Sequence, residues 1–234
     1  MRGLKKLFFG SGGKSLHGYG DSEARVLIFD FDGTLADTLK VAIEIFNELA
    51  PDYGYEPLTE EVIEMARGMS ARQIIEHFKV PATKIPNIAA RGLKALHKRM
   101  PEVKPFAGIP ELLNQLAQEG YILGILTSNS ESNVKDFLLR NNFPDFSFIR
   151  CSSQIFGKDT HLSKILKTNG WTSGQILFLG DEVRDVDACK KINIACAAAS
   201  WGYNTHAALE KSDPQWIIDK PEEFLKLLSF FEKK

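Results

Sequence analysis

Two aspartates close an apolar run: in VLIFDFDGTLADT, Asp30 and Asp32 follow Val26 to Phe29. Along an extended strand, residues two apart point the same way, so both carboxylates can enter one pocket. Such a pair can do either of two jobs. One acid attacks an electrophile while the other carries protons, or both bind a metal. Spacing alone leaves both readings open. Further along, ILGILTS ends in Thr127 and Ser128, FGKDTHL presents Lys158, and FLGDEVRD presents Asp181 with Glu182 and Asp185 close behind. Clustered carboxylates repel one another, and a cation relieves that cost. Oxygen donors without His or Cys suit Mg2+, which keeps waters and shares a phosphate with its substrate. Asp30 and Asp181 are the expected side-chain ligands.

These residues need elements to hold them. Val26 to Phe29 read as a buried strand, and Leu39, Ala42, Ile43, Phe46, Leu49 and Ala50 recur at helical spacing. PDYGYEP breaks that helix. Thr59 can cap a second helix, with Glu60 and Glu61 in its first turn. A third runs through Ile74, Ile75 and Phe78, and a fourth covers Ile88 to His97. The prolines of MPEVKPFAGIP mark a boundary. Beyond it strands and helices alternate: YILGILT, FSFIRCSS, QILFLGD, IACAAAS and QWIID as strands, with a helix near Thr160 and a last one from Asp219. This pattern predicts an α/β fold, a parallel sheet covered on both faces. Residues 25–37 and 105–234 form the core, residues 38–104 an inserted all-helical module, and residues 1–24 a flexible arm. In open α/β sheets ligands bind at the carboxyl ends of the strands, where these acids, hydroxyls and the amine converge.

Composition excludes several classes. The chain has 234 residues and a net charge of −1, with 44% hydrophobic and 25% charged residues. That balance gives no electrostatic footprint for nucleic acid. No apolar run approaches the roughly 20 residues that span a membrane. Cys151, Cys189 and Cys196 show no metal spacing, and their odd number argues against a disulfide framework. A reducing, cytoplasmic setting follows, with organellar targeting by the basic arm left open. GSGGKS within that arm imitates a phosphate-binding loop, but Phe8 stands where the first glycine is required and no strand precedes it.

DFDGTLADT resembles the first motif of the haloacid dehalogenase superfamily, D-x-D-G-T-L. Thr127 at a strand end resembles its second motif, Lys158 its third, and GDEVRDVDA its fourth, all in the family's order across residues 25 to about 205. The resemblance implies a Rossmann-like core with a helical cap inserted after the first motif, as in phosphoglycolate-phosphatase-like members. It also implies roles. Asp30 would attack phosphorus and form an aspartyl-phosphate, and Asp32 would protonate the leaving oxygen and later take a proton from water. Asp30 and Asp181 would bind Mg2+ by side chain and Asp32 by its main-chain carbonyl, with Asp185 holding a metal-bound water or Lys158. Thr127 would donate to the phosphoryl group and Lys158 would neutralise charge. Gly33, Thr34 and Ser128 would line the substrate. An acid at 32 implies an oxygen leaving group. There are two departures: Asp159 follows Lys158 where proline is usual, with Lys164 as the fallback amine, and Ser128 stands where asparagine is common.

The expected substrate is a small phosphorylated metabolite. Arg67 or Arg72, in RGMSARQ of the insert, could meet its carboxylate or second phosphate, although each taken singly reads first as a solvated arginine on a helix end. A phosphohexose mutase uses the same two acids and is the alternative enzyme. A non-catalytic scaffold on this fold is the alternative outside catalysis, and the presence of Asp30, Asp32 and Lys158 speaks against it.

Overall fold

The computed structural model describes residues 24–152 and 157–232. Apart from Ala24, the arm over residues 1–24, with its phosphate-loop imitation, lies outside the described residues. Six strands make one parallel sheet: β1 (Val26–Phe29), β2 (Ile122–Thr127), β3 (Phe148–Cys151), β4 (Ile176–Gly180), β5 (Ala195–Ala199) and β6 (Trp216–Ile218). Their order is β3-β2-β1-β4-β5-β6. The chain winds outward from β1 in one direction and from β4 in the other, so the order reverses between these neighbours. That reversal opens a crevice at their carboxyl ends.

Burial follows the two-residue period of a strand. Leu27 and Phe29 join Leu123, Ile125, Leu177 and Leu179 in one core, under α5 (Ile109–Gln118) and α6 (Glu131–Arg140). Val26 and Ile28 join Ile122, Leu126, Ile176 and Phe178 in the other, under α7 (Lys158–Asn169) and α8 (Val183–Lys191). Both sheet faces are therefore covered, which explains why β1, β2, β4 and β5 read as unbroken apolar runs.

Between β1 and α5 run four helices: α1 (Leu39–Tyr53), α2 (Glu60–Arg67), α3 (Ala71–His77) and α4 (Ile85–Arg99). Thr59 caps α2 by accepting the Val62 N–H, and Ser70 with Gln73 forms a capping box on α3. The PDYGYEP stretch, expected to break α1, begins inside it. The helix runs through Pro51 and stops at Gly54, whose left-handed φ of 78° lets its N–H reach Ala50 O and Pro51 O. α4 is longer at both ends than its periodicity predicts. α7 begins at Lys158, two residues before the expected start. A short helix, α9 (His206–Lys211), is absent from the sequence reading because six residues carry no helical period. The terminal segment Pro221–Glu232 winds as a 3₁₀ helix and buries Phe224. No described helix is long and apolar enough to cross a membrane.

Gly124 of β2 lies beside Phe148 of edge strand β3. A Cβ there would stand 2.1 Å from the ring's Cζ, so the ring must move to admit one. Gly124→Ala is expected to lower stability by about 1–3 kcal/mol, the usual cost of overpacking, read as a reduced urea midpoint at unchanged slope.

Candidate active site

Asp30 is the first residue past β1 and lies at the switch point. Its N–H still donates to Leu179 O of β4 at 2.9 Å, so the backbone stays fixed by the sheet. Its Oδ1 accepts the Phe31 N–H at 2.7 Å and its Oδ2 accepts Lys158 Nζ at 2.5 Å. Lys158 is only 7% exposed, and its ammonium also donates to Asp185 Oδ1. Replacement of the usual proline by Asp159 does not displace it. Asp159 occupies the first turn of α7, where a carboxylate suits the helix dipole as well as proline suits the geometry.

Asp181 is the first residue past β4. Its Oδ1 accepts the Thr34 hydroxyl at 2.6 Å and its Oδ2 accepts the Tyr203 N–H at 2.7 Å. Backbone closes around it from two sides. A Cβ on Gly33 would stand 2.1 Å from Oδ2, and one on Gly202 would stand 2.3 Å away. Gly33 also needs its φ of 76°, a region that side chains disfavour. Asp185 enters from the first turn of α8, where its Oδ2 accepts the Glu182 N–H at 3.2 Å. Carboxylate oxygens of Asp30, Asp181 and Asp185 lie within 4.8 Å of one another.

Charge dominates this cluster. Three buried carboxylates face one buried ammonium, with the nearby Arg184–Glu182 pair self-neutralising. Burial pushes the Asp30 carboxyl up to about 7, although Lys158 pulls it the other way. Burial likewise holds Asp181 well above the carboxylate range, and the surrounding acids add to that rise. Burial opposes the charge on Lys158, but Asp185 and Asp30 outweigh it and keep the amine protonated. An all-oxygen donor set with surplus negative charge fits a hard divalent cation.

Two further groups border the cluster. Thr127 is buried at the end of β2, and its Oγ1 accepts the Asn129 N–H at 2.9 Å, which leaves the hydroxyl hydrogen to donate. Asp32 is partly exposed, and both its oxygens accept from Asn129 Nδ2 at 3.0 Å. Burial raises its carboxyl, while Asn129 and Thr38 hold it down.

The structure thus brings together Asp30, Asp32, Thr127, Lys158, Asp181 and Asp185. It places the other expected residues differently. Thr34 gives its hydroxyl to Asp181, and Gly33 makes room for that carboxylate. Ser128 is half-buried next to Thr127, and Arg72 stands exposed on α3. Arg67 is engaged elsewhere: its Nε donates to Tyr203 O at 3.1 Å and its Nη2 to Gly202 O at 3.3 Å. Asn204 completes this clasp. Its Nδ2 donates to Arg67 O and Met69 O at 2.8 Å, while its Oδ1 accepts the Val183 N–H at 2.9 Å. Asn129 and Asn204 escape sequence reasoning.

Sequence comparison agrees with this geometry. The profile of the haloacid dehalogenase-like hydrolases matches residues 27–199. The chain belongs to the haloacid dehalogenase-like hydrolase family. It is 32% identical over 206 residues to a phosphoglycolate phosphatase of Synechococcus elongatus, covering 88% of this chain and 97% of that relative. A relative from Pseudomonas aeruginosa, N-acetylmuramic acid 6-phosphate phosphatase, is 24% identical over 87% of this chain and 94% of its own length. The fold matches that of a haloacid dehalogenase-like family protein from Streptococcus pneumoniae, with TM-score 0.72 and 22% identity over 89% of this chain and all of that one. A predicted phosphatase from Clostridium acetobutylicum matches with TM-score 0.76 and 19% identity over 88% and 99%.

The raised carboxyls of Asp30 and Asp181 set a pH dependence. The folded site holds protons that the unfolded chain releases near pH 4, so the contribution of Asp30 to stability is lost as pH rises through about 7, and that of Asp181 is likewise lost on going to higher pH. A cation must displace the same protons. The melting temperature gained from a fixed Mg2+ concentration is therefore expected to be larger at about pH 8 than at about pH 6. Asp181→Ala should abolish the gain at both.

Proposed function

We propose that this hydrolase is a Mg2+-dependent phosphatase that cleaves a small phosphate monoester through an aspartyl-phosphate on Asp30. The observation that carries the reading is the contact of Lys158 with Asp30 Oδ2, beside the partly exposed carboxyl of Asp32. A nucleophile paired with a buried cation, and an acid two residues on that reaches solvent, are what phosphoryl transfer to a carboxylate requires.

In this reading Asp30 attacks phosphorus in line. Its P–O bond forms as the ester P–O bond breaks, and Asp32 gives its proton to the departing alkoxide. Asp32, now a carboxylate, takes a proton from the attacking water, which releases phosphate and restores Asp30. Thr127 donates its hydroxyl hydrogen to a phosphoryl oxygen. Lys158 offsets the charge of nucleophile and phosphoryl group, and Asp185 holds that ammonium in place. The side chains of Asp30 and Asp181 and the main-chain carbonyl of Asp32 would hold Mg2+, which when bound would supply the further positive charge that an anionic nucleophile needs to approach an anionic phosphate. Asp185 is the fourth residue of that site.

Residues 38–104 act as a cap over the leaving group. Arg72, at the exposed start of α3, is offered to a substrate carboxylate or second phosphate, while Arg67 and Asn204 hold the cap loop against the core. Phosphoglycolate is the first substrate to test, because the relatives named phosphoglycolate phosphatase match nearly end to end.

The test is hydrolysis of a phosphate-ester panel with Mg2+. Wild-type protein is expected to release phosphate, and Asp30→Asn to lower kcat by at least about 10³-fold with the fold intact by circular dichroism. Inactivity of the folded wild type on every ester would refute the phosphatase reading. Activity retained in Asp30→Asn would remove Asp30 as the nucleophile.

A further inference from the structure

Proton delivery requires the Asp32 carboxyl to be aimed at the leaving oxygen, yet Asp32 lies beyond the end of β1 and reaches solvent. Asn129 supplies the aim. Its Nδ2 donates to both oxygens of Asp32 at 3.0 Å, which anchors the carboxyl group from the side of β2. Asn129 is 2% exposed and has no freedom of its own. Its N–H is tied to Thr127 Oγ1, and its Oδ1 accepts the Ser130 N–H at 2.7 Å and Asn133 Nδ2 at 2.8 Å.

Asn133 extends the chain. It is fully buried in the first turn of α6, beside the core residues Val134 and Phe137. A buried amide adds little packing and costs stability unless each polar atom is satisfied. Both are: Nδ2 serves Asn129, and Oδ1 faces His97 Nδ1 at 2.6 Å. Because Nδ2 is the donor toward Asn129, Oδ1 must accept, and His97 Nδ1 must carry the hydrogen. Each link therefore donates inward, from His97 to Asn133, from Asn133 to Asn129, and from Asn129 to Asp32. Aligned hydrogen bonds polarise one another, and a connected side-chain network is stiffer than its separate pairs. His97 lies in the last turn of α4, three residues before Met100, where the helical insert returns to the core.

We propose that Asn129, Asn133 and His97 form a positioning chain that orients Asp32 as proton donor and ties its orientation to the root of the helical insert. The inference rests on the phosphatase reading. None of the three touches the phosphoryl group; they act through Asp32.

Loss of a positioning residue should weigh on proton donation and spare phosphoryl binding. The readout is kcat/KM for two esters with Mg2+. Phosphoglycolate leaves as an alkoxide that needs a proton, whereas p-nitrophenyl phosphate leaves as a phenolate that does not. The ratio of the two values is expected to fall about 10²-fold in Asn129→Ala, the low end of what acid catalysis contributes. It should fall several-fold, about 3–10-fold, in His97→Ala, because that residue is the exposed end of the chain. His97→Gln keeps an N–H donor and should recover most of the ratio. Asn133→Ala empties a buried site and could fail to fold, but the other two variants bracket it from both ends. An unchanged ratio in Asn129→Ala, with both esters slowed alike, would overturn the positioning role. An unchanged ratio in His97→Ala would overturn the tie to the insert. If the wild type cleaves no ester of the panel, the phosphatase reading falls and the proposal falls with it; if it cleaves another alkyl phosphate in place of phosphoglycolate, the same ratio is taken with that ester. If it cleaves both and the ratio never moves, the proposal alone falls.

Discussion

The site is organised by one electrostatic imbalance: more buried carboxylate than buried ammonium. Asp30, Asp181 and Asp185 converge from β1, β4 and α8, and Lys158 pairs directly with Asp30 and Asp185. In water such a cluster would be screened, but at the floor of a sheet crevice it is not. The fold carries the cost by fixing every member. Asp30 is tied to the backbone of β4, Asp185 to the first turn of α8, and Asp181 to a hydroxyl and a main-chain N–H. The surplus negative charge that makes the cluster unfavourable on its own is what suits it to a divalent cation. Function here draws on strain of charge rather than strain of backbone.

The sheet and the acids were legible in the sequence for different reasons. A parallel sheet with both faces covered prints itself as apolar runs, and those of β1, β2 and β4 close on a carboxylate or a hydroxyl. Asp30, Thr127 and Asp181 could therefore be read as strand ends. Lys158 was legible only through its place in the order of motifs, and the structure shows why losing the following proline did no harm. Asn129 was not legible. It lies one residue beyond the position where an asparagine is usual, and an amide has no charge or period to mark its role. Asn133 lies beside the apolar Val134 and Phe137 with nothing in its type to mark it, and His97 was legible only as the end of the fourth helix.

Thr34 and Arg67 show a different limit. Both sit in stretches that sequence reasoning rightly associates with the site, and both carry groups able to bind phosphate or carboxylate. What a sequence cannot show is prior commitment. The Thr34 hydroxyl is consumed by Asp181, and the Arg67 guanidinium by two main-chain carbonyls of residues 202 and 203. Those carbonyls belong to the segment whose N–H at Tyr203 holds Asp181. Residues 202–204 thus face the acidic cluster on one side and the helical insert on the other.

That clasp bears on how the insert keeps its shape. α2 and α3 contain no fully buried residue, whereas α1 buries Val41, Ile45 and Ala50 and α4 buries Leu96. Little apolar surface is withdrawn from water between α2 and the rest of the chain, so these turns own little of the free energy that keeps them folded. They borrow it through Asn204 and Arg67. Amide protons of α2 and α3 should accordingly exchange with solvent by opening of this region alone, long before those of β1 or β4. The molecule then has two grades of order: a sheet that yields only when everything unfolds, and an outer loop whose folding depends on the residues that grip Asp181.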